Sequence, residues 1–394
     1  MNILKTPIKT TLFLFIVSTI VLHAEESSAS NVEFSGPEQV NHRIDEDSKY
    51  RERPLKEQLK DKGINVAMDY SAVVFKLDES FPGTDDSAAS GMLRFYGSWD
   101  ATETGSFVWK IEHRHAYTDT QARFIPFNGG ITGLEVPPFS DDETRLTNLY
   151  WKQKFNDNKS TVLVGFLDVT DYVDVYAAAS PWTSFMNFAF STGSTTMALP
   201  NDATLGLAAA TMLGDNFFVI AGISDMEADS TKPFEGFETF FSKHNFFSSI
   251  ELGWTSDQKN IYTDNIHLIL WHTDESEIQG LESDKGANLS ISRLYGAWLP
   301  FLRAGYAEKG VMLGIDRSVS AGVHYYGLGK ETNNLGFAMN WANDVASNED
   351  QLTAELFYFM KVGEYFEFTP DIQWVKTAES GNRVIYGLRA RIVW

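Results

Sequence analysis

Charged and polar side chains recur at every second position along short apolar runs of this sequence. In the run Leu93-Arg94-Phe95-Tyr96, Arg94 and Tyr96 alternate with Leu93 and Phe95. From Phe107 to Arg114, the residues Lys110, Glu112 and Arg114 alternate with Phe107, Trp109 and Ile111. The same parity selects Glu355, then Glu367, Asp371 and Gln373, then Arg389 and Arg391 near the C-terminus. Cations and anions facing one another across a narrow wet space set up a transverse field. They also offer many hydrogen-bond donors and acceptors, which can replace water around a polar solute. The competing role is cross-strand ion pairing that stiffens a wall. For the late group, Glu355 to Arg391, the structural role is the stronger reading.

Covalent chemistry finds little support. There is no His-Glu-x-x-His, no Gly-x-Ser-x-Gly and no glycine-rich phosphate loop among the 394 residues. His113 and His115 flank Arg114, but their parity puts them on the apolar face with Leu93 and Ile111, as rim residues rather than a metal pair. No cofactor is implied, and no metal site is assigned with certainty. The chain has no cysteine, so it has neither a disulfide nor an N-terminal lipid-modified cysteine. A formal charge of −21 argues against nucleic acid, which wants a basic face.

The elements that position these residues are strands. A period of two, with one greasy and one wet face, describes sixteen segments between 64–76 and 382–394, each near the 9–11 residues that a tilted strand needs to cross a bilayer. The last of them, Arg383 to Trp394, sets Tyr386, Leu388, Ala390, Ile392 and Trp394 against Arg389 and Arg391. The two least distinct segments are 287–297 and 301–309, with Pro300 expected at the turn between them. Connections alternate between short and long, notably 101–105, 156–159 and 214–215 against 77–90, 118–143 and 168–201. That alternation belongs to a transmembrane barrel, whose turns are short at one end and whose loops are long at the other. The mean hydropathy of −0.22 excludes a bundle of membrane helices, which needs runs of about 20 apolar residues. The aromatic supply, 10 Trp, 15 Tyr and 29 Phe, suits interfacial girdles.

The expected organisation has three parts. Residues 1–24 read as a cleaved secretory signal, with Lys5 and Lys9 before the apolar stretch Thr11 to Leu22. Residues 25–62 form a periplasmic segment with a short helix within Ser48 to Lys62. Residues 63–394 form an all-β, antiparallel transmembrane barrel of about sixteen strands in the outer membrane. An even strand count puts both ends in the periplasm. Trp394 then meets the barrel assembly machinery, and the last strand closes on the first. The long loop 168–201 folds inward and carries Tyr172, Tyr176, Trp182, Phe185 and Phe188, with a helix-like stretch from Tyr172 to Ala179. The outer loops collect Asp85, Asp86, Asp141, Asp142, Glu143, Asp225, Glu227, Asp229, Asp274, Glu275, Glu277, Glu282 and Asp284. Such oxygens suit divalent cations at the lipopolysaccharide layer, or simply make a solvated acidic surface.

Three stretches carry a family resemblance. The first is Leu59-Lys60-Asp61-Lys62-Gly63-Ile64, leading to Tyr70. The second is Val164-Gly165-Phe166-Leu167-Asp168, with Tyr172 and Ser184-Phe185-Met186-Asn187. The third joins Thr353-Ala354-Glu355-Leu356-Phe357-Tyr358, Phe368-Thr369-Pro370-Asp371-Ile372-Gln373-Trp374 and Tyr386-Gly387-Leu388-Arg389-Ala390-Arg391. Together they resemble the carbohydrate-selective porin (OprB-type) family of Gram-negative outer membranes. Phe166 departs from the lysine usual in that family, and the loops are unusually acidic. The resemblance implies a sixteen-strand channel for passive diffusion of sugars and similar small polar solutes, with charged residues at its constriction. Arg94, Lys110, Glu112, Arg114, Tyr172 and Trp182 are the expected constriction and substrate contacts. Tyr96, Glu355, Asp371, Gln373, Arg389 and Arg391 are the expected lumen wall. A general cation-preferring porin and an outer-membrane hydrolase on a barrel scaffold are the alternatives. The oligomeric state stays open between monomer and trimer.

Overall fold

Alternating side chains leave one face of each strand apolar, and closing the sheet on itself removes its edges. The computed structural model, described here for residues 54–394 except Asp202, is such a closed sheet. A short helix, α1 (Pro54–Lys60), precedes sixteen antiparallel strands. They are β1 (Ile64–Leu77), β2 (Ser87–Asp100), β3 (Gly105–Ala116), β4 (Glu143–Phe155), β5 (Ser160–Asp168), β6 (Ala203–Leu213), β7 (Phe217–Asp225) and β8 (Phe246–Thr255). They continue with β9 (Asp264–Thr273), β10 (Asp284–Arg293), β11 (Trp298–Ala307), β12 (Ile315–Tyr326), β13 (Asn334–Asp344), β14 (Glu349–Val362), β15 (Phe366–Thr377) and β16 (Gly381–Val393). Each strand pairs with its neighbours in sequence, and β16 closes on β1 from Asp69↔Val393 to Leu77↔Ile385. The barrel and its strand number are as expected.

Connections at one end of the barrel are short. The β4–β5 turn runs through Asn156, Asp157 and Asn158 in the left-handed region, at φ of 53°, 53° and 67°, which short polar side chains tolerate. The β6–β7 turn uses Gly214 at φ 76°. The other end carries the long connections 78–86, 117–142, 169–202 and 226–245, which shrink to 345–348 and 378–380 near the C-terminus. α1 lies at the short-turn end, where the Lys56 ammonium sits 4.9 Å from the centre of the Trp394 ring. The backbone of Trp394 exchanges hydrogen bonds with Met68, which completes the seam.

Side-chain facing follows the expected parity. Leu93, Phe95, Phe107, Ile111, Leu207, Leu252, Leu356 and Leu388 are exposed on the outside. Arg94, Lys110, Glu112, Arg114, Glu355, Asp371, Gln373, Arg389 and Arg391 are buried on the inside. Near the short-turn end the outer face carries ring pairs: Trp99 with Phe107, Phe107 with Trp151, and Trp298 with Tyr325 at 4.5 Å. His113 and His115 stack at 5.6 Å on this outer face, toward the long-loop end.

Three expectations need correction. The indistinct segments begin three residues earlier than expected, at 284–293 and 298–307. Pro300 is inside β11, one residue past the last rung shared with β10, Ser292↔Phe301, and the turn falls at Gly296 with φ 57°. The stretch Tyr172 to Ala179 is not one helix. A 3-10 turn at Val169–Asp171 precedes it, and another at Ala177–Ala179 ends it. Asp174 breaks it at φ 54°, and Ala177 N–H donates to the Tyr262 carbonyl in the β8–β9 connection instead of to its own segment. The helix expected within 48–62 is seen from Pro54 to Lys60, while the signal segment and most of 25–62 lie outside the described residues.

Candidate functional site

The inward side chains of β1, β2, β15 and β16 build one charged cluster. Asp69 stands opposite Arg94 across β1 and β2. Arg94 donates to it through Nε at 2.9 Å and Nη2 at 2.5 Å. Arg391 donates to the same Asp69 Oδ2 through Nε and Nη2 at 3.1 and 2.7 Å, and through Nη1 to Glu367 at 3.0 Å. Two guanidinium groups therefore meet two carboxylates, so the quartet carries no net charge. Charge-assisted, forked contacts of this kind hold a guanidinium plane in one orientation. The plane of Arg94 is offered to two aromatic rings, Trp182 at 3.7 Å and Tyr96 at 5.1 Å. Trp182 comes from the long loop, so the structure brings the loop onto the wall at this point.

The neighbouring strand continues the charged surface. In the β2–β3 ladder Arg94 faces Glu112, and Tyr96 faces Lys110. Glu112 accepts from Arg114 Nε at 2.9 Å. Lys110 lies 3.6 Å from Asp168 and from Asp171, at the start of the long loop. Arg145 on β4 reaches Asp142 at 2.9 Å. Arg94, Lys110, Glu112, Arg114, Tyr96 and Trp182 thus lie on one continuous side of the interior. Tyr172 stands apart from them. Its hydroxyl lies 3.1 Å from Ser224, and its ring covers Gly222, where an added Cβ would fall 2.5 Å away. Tyr172 packs the loop onto β7.

Glu355, Gln373 and Arg389 grip the loop. Glu355 accepts from the backbone N–H of Met186 at 2.6 Å and of Asn187 at 3.0 Å. Arg389 donates to the carbonyls of Pro181 at 2.7 Å and Ser184 at 3.1 Å. The Asn187 amide donates to Gln373 and to Glu135, each at 3.0 Å, and Gln373 donates to Glu135 and Asp371, each at 2.9 Å. Glu135 belongs to the loop 117–142, which joins the long loop through Val136 N–H to Met186 O at 2.7 Å and Phe188 N–H to Leu134 O at 3.0 Å. On another side, buried Asp174 takes Arg303, Gly193 N–H at 2.6 Å and His267 at 3.0 Å. Burial pushes the Asp174 carboxyl up, but Arg303 and His267 outweigh it and hold it below the usual range. The loop is fixed to β9, β11, β14, β15 and β16, with no regular helix needed.

Glu135 carries a pH dependence. Burial, with Asp371 adding to it, holds its carboxyl well above the ordinary value of 4.5 despite the bonds from Gln373 and Asn187. Its folded-state pKa therefore exceeds its unfolded one. The loop junction is strongest below that unfolded value and weakens as pH rises through the raised one. Hydrogen exchange at Met186 to Phe188 should accelerate over that rise. Glu135→Gln should remove much of the dependence. An unchanged profile in Glu135→Gln would exclude the assignment.

Several of these residues were not singled out from the sequence: Asp69, Glu135, Arg145, Asp174, His267 and Arg303. Asp69 is obscured because β1 is apolar on both faces beyond it except at Ser71 and Lys76. Val73, Phe75 and Leu77 share its inward face, and Tyr70, Ala72 and Val74 the outer one. Arg303 lies in one of the two indistinct segments.

The family model described as carbohydrate-selective porin, OprB family, matches residues 120–300. No curated protein sequence matches the chain. Among solved structures, the high-pH structure of OprB from Pseudomonas putida has a TM-score of 0.70 at 15% identity, covering 86% of this chain and 96% of that one. The low-pH structure of the same protein gives 0.53 at 14% identity, covering 86% and 95%. An engineered triple mutant of the Rhodopseudomonas blastica porin gives 0.51 at 12% identity, covering 84% and 100%. These likenesses share the sixteen-strand barrel. With the family match across the charged strand β4, the long loop and the strands up to β11, they bear out the resemblance to the carbohydrate-selective porins of the OprB family that was read from the sequence.

Proposed function

We infer that this protein is an outer-membrane porin through which carbohydrates and similar small polar solutes diffuse passively. The observation that carries the reading is the placement of the Trp182 ring on the Arg94 guanidinium, beside Tyr96, Glu112 and Arg114. An aromatic face takes the C–H side of a sugar ring, and guanidinium and carboxylate groups take its hydroxyls. Binding of this kind is weak enough to release the solute again, as conduction requires. The channel reading is preferred to the hydrolase alternative, because the charged residues of this cluster are engaged with one another.

Arg94, Lys110, Glu112, Arg114 and Trp182 are proposed as solute contacts. Tyr96, Glu355, Asp371, Gln373, Arg389 and Arg391 are proposed to shape the wall and hold the loop. Residues 1–24 are proposed as the export signal, and Trp394 as the handle for the assembly machinery. The long-loop end is proposed to face outward, toward lipopolysaccharide and its divalent cations. The second reading, a general cation-preferring porin, is favoured by the charge of −21. Liposome swelling tests the first: monosaccharides should enter, and Arg94→Ala, Glu112→Ala and Arg114→Ala should each alter the ranking among sugars. A strong cation reversal potential in a salt gradient, with no ranking among sugars, would favour the second.

A further inference from the structure

The connection between β7 and β8 carries an unusual cluster, four phenylalanines within eight residues: Phe234, Phe237, Phe240 and Phe241. Most of them sit on a helix, α2 (Glu235–Ser242). Eight residues are too few to hold a helix in isolation, and here the barrel's outer wall holds it. Phe237 meets Phe166 edge-on at 5.5 Å, and Phe240 meets Phe246 at 5.0 Å. Gly236 is buried directly over Phe166, where an added Cβ would be 3.3 Å from the ring. Asp225, the last residue of β7, accepts from the Thr239 hydroxyl.

These wall residues face outward. Phe246 pairs with Asp225, two rungs from the pair Ser248↔Ile223 and four from the exposed pair Ile250↔Ala221. Phe166 lies two residues beyond exposed Val164 on the same face. The helix therefore rests on the outside of the barrel, where the apolar belt of Val164, Leu207 and Ile250 reaches its upper margin. Its remaining phenylalanines are turned away from the protein: Phe234 is 79% and Phe241 68% exposed. Glu238 is exposed between these two rings, and past the helix end Lys243 pairs with Glu277 at 2.7 Å. A cluster of bare aromatic rings, continuous with the lipid-facing belt and at its margin, fits the boundary between acyl chains and headgroups.

We propose that α2 is a lipid-seated foot, with Phe234 and Phe241 inserted among the outer-leaflet acyl chains beside β5–β8. The foot fixes the height of this side of the barrel in the membrane. The absence of native cysteine permits a direct test. Nitroxide labels are placed at Phe241→Cys and, separately, Phe234→Cys, in proteoliposomes. Leu207→Cys serves as the belt control and Ser347→Cys as the aqueous control. The expected result is a collision ratio of oxygen over a water-soluble nickel reagent close to that of Leu207→Cys. A ratio close to that of Ser347→Cys would overturn the proposal by placing the rings in water. Protection from both reagents would also overturn it, and would assign the surface to a second copy of the chain. If Leu207→Cys itself proved nickel-accessible, the fault would lie with the membrane-spanning reading rather than with the foot.

Discussion

Replacing Asp69 by alanine should destabilise the barrel by about 3–5 kcal/mol, the scale for stripping one partner from a buried ion pair. Asp69 is fully buried and receives two N–H donors from Arg94 and two from Arg391. Without it Arg391 keeps Glu367, but Arg94 loses its forked partner and remains in the interior, stacked on Trp182. The substitution also cuts a tie across the closing seam, because Asp69 is on β1 and Arg391 on β16. Urea unfolding of the membrane-inserted protein, read by tryptophan fluorescence, measures the loss. Arg94→Ala added to Asp69→Ala should restore part of it, since the buried charge that lost its forked partner is then gone and the two effects fail to add. A loss under about 1 kcal/mol, typical of exposed pairs, would show that the quartet does not hold the seam.

The second large effect is expected from Glu355→Ala. This carboxylate accepts from two loop N–H groups, at Met186 and Asn187, in a dry setting. Alanine leaves both donors unsatisfied, at about 1–3 kcal/mol each. Every 1.4 kcal/mol is about a tenfold change in a population, so the detached loop should become at least about ten times more populated. Trp182, four residues before Met186, loses part of its anchorage with that segment, while Arg389 still holds its neighbours Pro181 and Ser184. Single-channel recordings should then show higher and noisier conductance, with discrimination among sugars reduced. Glu355→Gln, which keeps one carbonyl acceptor, should fall between the two. Conductance unchanged in Glu355→Ala would mean that the loop does not narrow the channel.

How far the sequence revealed this arrangement differs between wall and loop. The strands were legible because each crosses a medium that sorts its two faces. Leu93 and Phe95 outside, with Arg94 and Tyr96 inside, show the period of two without ambiguity. The signal weakened where the medium did not sort them. On β1, beyond Asp69, the inward face is apolar because the loop 117–142 packs against Val73, Phe75 and Leu77 rather than water. On β11, Pro300 looked like a turn residue, although the strand accepts it past the end of the β10 ladder. The lengths of the loops could be read, but not their contacts. Glu355 and Arg389 have the parity of wall residues in any barrel. That they hold Met186 and Pro181, some 170 and 210 positions away in sequence, follows only from the closed topology. Tyr172 was grouped with Trp182 because both are aromatic residues of one loop. The structure separates them, for Gly222 leaves a recess on β7 that the Tyr172 ring fills.

The most direct test of sugar passage is the swelling rate of liposomes that contain the purified protein, in iso-osmotic solutions of neutral sugars. Ion conductance is recorded on the same preparation to establish that open channels are present. The account expects swelling with monosaccharides, slower swelling as the sugar grows, and a changed ranking when Arg94 is replaced by alanine. Channels that conduct ions normally while no sugar enters would contradict it.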